Sequence, residues 1–101
     1  MDTRGLVRKS EANTPAISSD ATAIAANSAR SSWFIQNLGT NTLYVKLGAD
    51  ASTSVFHRVL KAGSVNDDGT GGSTGDSSGV IFTGIISVAG TSPRYVISET
   101  N

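Results

Sequence analysis

Apolar and polar residues alternate in short runs along most of the chain, and glycine, asparagine and proline separate the runs. The clearest run is Leu43-Tyr44-Val45-Lys46-Leu47, with Leu43, Val45 and Leu47 on one face and Tyr44 and Lys46 on the other. Such a period of two marks a half-buried strand, because successive side chains of an extended chain point to opposite sides. Ahead of it, Trp33-Phe34-Ile35 opens a strand running to Leu38, and Gly39-Thr40-Asn41 supplies a tight turn, so the two segments read as a hairpin. Val55 to Leu60 gives a third strand with Phe56 and Leu60 on one face, ended by Lys61-Ala62-Gly63. Val80 to Ala89 is the longest strand candidate and is apolar on both faces, with Gly84 placed for a bulge or bend. Gly90-Thr91-Ser92-Pro93 then turns the chain into a last strand, Arg94 to Glu99.

Two stretches stand apart from this pattern. Residues 1–29 are dominated by Ala, Ser, Thr and Asn, and their only sizeable apolar side chains are Leu6, Val7, Ile17 and Ile24. Such a segment cannot build a core of its own. Asp20 stands where it would cap a short helix over 20–26, but an isolated helix of that length is unstable, and the segment reads better as an edge strand or extended arm, either a disordered terminus or an arm ordered only on a partner surface. Residues 63–79 hold six of the eleven glycines, three acids and no base, and read as a long flexible loop. The whole predicts an all-β fold: a small antiparallel sandwich or barrel of about six strands over residues 30–101, preceded by an N-terminal arm.

Composition narrows the function. At 101 residues the chain is one domain, too short for the large catalytic folds. Eight Lys and Arg balance eight Asp and Glu, so the basic footprint of a protein gripping nucleic acid or anionic lipid is missing, and neither partner is expected. The chain has no cysteine, which removes disulfides and thiolate chemistry. No apolar run approaches a membrane span and the first residues lack a signal peptide's apolar region, so synthesis in the cytoplasm is expected. A chain this small gains stability by associating with other subunits, and a homo-oligomer is expected.

Candidate chemistry is sparse. Gly71-Gly72-Ser73-Thr74-Gly75 fits the G-x-S-x-G nucleophile pattern, but a glycine-rich loop with no helix after it is the wrong context for a nucleophile elbow. His57, the single histidine, lies in a strand beside Arg58 and reads as a structural or surface residue. Asp67, Asp68 and Asp76 are hard-cation ligands by type, yet their spacing fits no calcium loop and a solvated linker is the better reading. No phosphate cradle is present. With no paired carboxylates at a catalytic spacing, an enzyme is the least favoured class; no catalytic residue, cofactor or metal is assigned.

The aromatics carry more information. Trp33 and Phe34 are adjacent and point to opposite faces of their strand, so one fills the core while the other is left for solvent or a second subunit. Ile81 and Ile85, against Phe82 and Ile86, repeat this two-faced pattern. Trp33, Tyr44 and Tyr95 would also serve as stacking platforms in a glycan-binding module.

The segment Arg30 to Gly48, centred on Ile35-Gln36-Asn37-Leu38-Gly39-Thr40-Asn41-Thr42-Leu43-Tyr44-Val45-Lys46-Leu47-Gly48, resembles small virion proteins of tailed bacteriophages. The likeness continues through Phe56 to Gly63 and Phe82-Thr83-Gly84-Ile85-Ile86-Ser87 and closes on the strand ending in Glu99, about two thirds of the chain; the order of the four fragments carries it. The resemblance implies a non-enzymatic β-sandwich on the virion surface, a decoration or cement protein that binds and stabilises the major capsid protein shell, commonly as a trimer. The alternatives are a head fibre, tail or connector component, or the glycan-binding module. On this reading the interface candidates are Trp33, Ile35, Tyr44, Ile81 and Ile85 in the sandwich and Leu6, Val7 and Ile17 in the arm.

Overall fold

The computed structural model describes residues 7–13 and 17–100. They form eight strands and no helix: β1 (Val7–Asn13), β2 (Ile17–Ile24), β3 (Ser32–Asn37), β4 (Leu43–Leu47), β5 (Arg58–Leu60), β6 (Ser73–Asp76), β7 (Ile86–Gly90) and β8 (Arg94–Thr100). One sheet has the order β1-β8-β3-β6 and the other β2-β7-β4-β5, with every strand pair antiparallel. The pairs β1 with β8, β2 with β7, β3 with β6 and β4 with β5 are nested about the β4–β5 connection. One long hairpin is thus wrapped so that its strand pairs fall alternately in the two sheets, which is the order of a jelly roll.

The alternation seen in the sequence fills the space between the sheets. Trp33 and Ile35 of β3 and Tyr95 and Ile97 of β8 meet Leu43 and Val45 of β4, Leu60 of β5 and Ile86 and Val88 of β7 in one core, with Ala23 of β2 at its margin. β7 is buried on both faces, because the β4–β5 connection folds back over its outer side. There the Ser87 hydroxyl donates to the Gly48 carbonyl at 2.6 Å and accepts the Ala51 amide at 3.1 Å. Two buried polar side chains fasten the ends. Asn37 donates to the carbonyls of Asn41, Leu60 and Lys61 and accepts the Gly39 amide. At the opposite end Arg30 donates to the carbonyls of Phe82 (2.8 Å), Gly84 (3.1 Å) and Ala25 (2.9 Å) and pairs with Glu99 at 3.5 Å.

The all-β sandwich is as expected, while several local expectations are corrected. β3 and β4 are not a hairpin: the Gly39–Asn41 turn carries the chain from one sheet to the other, so that their apolar faces oppose one another across the core. Within the described part of the N-terminal segment the edge-strand alternative holds: β1 lies along β8 and β2 along β7, each at the edge of one sheet. Residues 17–24 are strand, in keeping with the extended rather than the helical reading of 20–26. The strand expected over 80–89 covers only Ile86–Gly90; residues 80–85 instead wrap the end of the sandwich, where Arg30 and the Asn27 amide take their carbonyls. Gly84 lies under the Phe82 ring, whose Cζ would stand 2.8 Å from an added Cβ. The expected third strand begins only at Arg58, since Ser52 to Val55 form a turn.

The long loop at 63–79 is also more ordered than its composition suggests. Residues 73–76 form β6, an edge strand on β3. Its glycines answer to close approach rather than to flexibility: a Cβ on Gly71 would stand 2.0 Å from the Asn37 carbonyl oxygen, and one on Gly75 2.1 Å from that of Trp33. Ahead of β6, Asp68 ties the turn together by accepting the Ser64 and Thr70 hydroxyls and the amides of Val65 and Thr70. Asp67, at φ 64°, takes a two-pronged contact from Arg94 with both distances 2.8 Å.

Candidate functional site

The strand pattern sorts the interface candidates into core and surface. Trp33 is 2% exposed and Ile35 fully buried, so neither is on a surface; Phe34, between them, is 46% exposed. Of this two-faced pair it is Phe34, not the interface candidate Trp33, that faces outward. Trp33 goes inward because its indole finds a polar partner there. Its Nε1 donates to Asp76 at 2.9 Å, and the Arg58 guanidinium stands 5.4 Å over its ring.

This contact seals one edge of the sandwich. Arg58 leaves β5 in one sheet to reach β6 in the other, donating to the Thr74 hydroxyl at 3.0 Å and to Asp76 at 3.3 Å. Desolvation tends to raise the Asp76 pKa, but the Trp33 indole, the Phe82 amide and the Arg58 guanidinium outweigh it and hold the carboxyl below its ordinary value. Asp67, held by Arg94, and Asp68, held by the Ser64 and Thr70 hydroxyls, lie below it too. The three aspartates considered as hard-cation ligands therefore serve three separate donor sets, and no metal-holding cluster occurs among the described residues. Ser73 of the G-x-S-x-G pattern sits on the β6 edge strand, and His57 is structural, its Nδ1 accepting the Leu47 amide at 2.9 Å.

Ile81 and Ile85 are half-buried, and Ile81 packs on the core together with Phe82. Leu6 lies outside the described residues; Val7 pairs with Thr100 and Ile17 with Gly90 in the sheets. Of the glycan-stacking trio, Trp33 and Tyr95 are buried in the core and the half-buried Tyr44 lies against Phe56, so the structure assembles no shared platform from them.

Tyr44 is the interface candidate that lies in an outward apolar surface. On the outer side of β4 and β5, Tyr44 stands opposite Val59, and the Phe56 ring lies on Tyr44 with centroids 4.9 Å apart. Val59 is 50% exposed, and Val55 and Phe56 are exposed beside it. An unbroken strand over 55–60 would set Phe56 and Leu60 on one face. The turn at 52–55 puts Phe56 outside while Leu60 points into the core. The readable signal was the pairing of Tyr44 with a second apolar run, Val55-Phe56, too close to the short β5 for both to be covered.

No family model, curated protein or solved structure matches this chain.

Proposed function

We propose that the chain is a non-enzymatic structural protein of a tailed-bacteriophage virion, a decoration or cement protein seated on the major capsid protein shell as a homo-oligomer, in keeping with the trimer that the resemblance implies. The observation that carries the reading is the outward apolar cluster of Tyr44, Phe56 and Val59, with exposed Val55 next to Phe56 in the chain. Contiguous exposed apolar side chains, unlike isolated ones, mark interaction surfaces. The jelly-roll order suits the reading, since that fold builds viral capsid domains as well as lectins.

The test is quantitative mass spectrometry of purified virions from the source, counting copies of this chain per copy of the major capsid protein. A ratio near one, or a simple fraction of it, supports the shell-wide role. A handful of copies per particle moves the protein to a fibre, tail or connector position, and absence from particles overturns the virion reading.

A further inference from the structure

The outer face of β4 and β5 has a definite charge as well as an apolar centre. Between Leu43 and Gly63 the bases are Lys46, Arg58 and Lys61, and the only acid is Asp50. Arg58 is turned away to Asp76 and Thr74 at the sealed edge. Lys46 alternates outward with Tyr44 on β4, and Lys61 is exposed immediately after β5. Neither ammonium pairs with a carboxylate among the described residues, whereas Arg30, Arg58 and Arg94 all do. The face is therefore an apolar cluster flanked by uncompensated positive charge.

We infer that this face docks an apolar surface edged with carboxylates on a different protein, the inference resting on the virion reading and naming the side by which the chain sits on its shell. Charge decides the occupant. Laid on its own copy, the face would gather the lysines of both copies around one apolar centre, like charge beside like, with no carboxylate of the cluster to pair them. A nucleic acid is disfavoured for a different reason: two free ammonium groups release too few counterions to hold a phosphate backbone at physiological salt. A carboxylate-edged apolar partner satisfies both features, with Val59 and Phe56 buried at the centre and the lysines paired at the rim.

The experiment uses purified full-length chain and shells assembled from the virion's major capsid protein without this chain. Binding is measured by co-sedimentation at low and high salt, for wild type, Val59→Asp, the double variant Lys46→Glu/Lys61→Glu, and Phe34→Asp on the opposite sheet. Circular dichroism and melting establish that each variant is folded. Val59→Asp is expected to weaken binding at least thirtyfold, corresponding to about 2 kcal/mol at a central contact. The double variant should lose about tenfold or more at low salt and less at high salt, while Phe34→Asp binds as wild type. If Phe34→Asp loses binding and Val59→Asp keeps it, the inference is overturned while the virion reading stands. If the wild-type chain does not bind the shells, reading and inference fall together. If wild type is an oligomer that Val59→Asp dissociates, a second copy covers the face and the inferred partner is wrong.

Discussion

Replacing Arg30 with methionine tests how the end of the sandwich is held. The Arg30 side chain is fully enclosed, and it donates to the carbonyls of Phe82, Gly84 and Ala25 while pairing with Glu99, itself 3% exposed. Methionine retains much of the apolar stem and removes every one of these donors. It leaves the Glu99 carboxylate enclosed with the Asn27 amide, and it deprives three carbonyls of a charged donor. Breaking a buried ion pair from one side costs about 3–5 kcal/mol, and the orphaned carbonyls place the loss in the upper part of that range. A domain of this size has a total stability of only about 5–15 kcal/mol, so Arg30→Met should lose a large share of it. At about 4–8 °C per kcal/mol, Tm should fall by about 12–40 °C. The assay is urea unfolding followed by the fluorescence of Trp33, the single tryptophan, with the slopes of the two transitions compared to ensure a common unfolded state. The double variant Arg30→Met/Glu99→Leu should recover part of the loss, because no lone charge remains enclosed, but not all of it, because the carbonyls stay unpaired. A single variant within about 1 kcal/mol of wild type, or a double variant less stable than the single, would refute the reasoning.

Three further outcomes follow from the same geometry. Gly75→Ala should peel β6 from β3, since its Cβ would meet the Trp33 carbonyl at 2.1 Å; hydrogen exchange should then quicken at residues 73–76 before it does in β7. Asp67, Asp68 and Asp76 all lie below their ordinary carboxylate values when folded, so the stability they contribute is present above about pH 4 and is lost as pH falls through the folded values. Asp76→Asn should be less stable at neutral pH and show a shallower decline in acid, read from urea midpoints across pH. Deleting residues 1–24 removes an edge strand from each sheet and bares β8 and β7, so the truncated chain should lose cooperative melting altogether; a truncation that melts like the full chain would mean that β1 and β2 are dispensable.

What the sequence determined by itself is what depends on neighbours along the chain. Period-two alternation placed β4 and β8 almost to the residue, and the class followed from strands cut by glycine and asparagine. The adjacency of Trp33 and Phe34 required that one be outside. The tertiary structure decided what depends on residues far apart. Which of the two aromatics is buried was set by Asp76 and Arg58, 43 and 25 positions along the chain, which meet the indole inside the edge. The Gly39 turn is the same text in a hairpin and in a crossing between sheets, and only the pairing of β3 with β8 and of β4 with β7 tells them apart. The glycines of 63–79 read as flexibility until β6 lies on β3, where the missing Cβ atoms become room for a neighbouring carbonyl. Local patterns record which side of a strand is apolar; the partner of that strand is chosen by the most complete burial available to the whole chain, and that choice has no signature in any one segment.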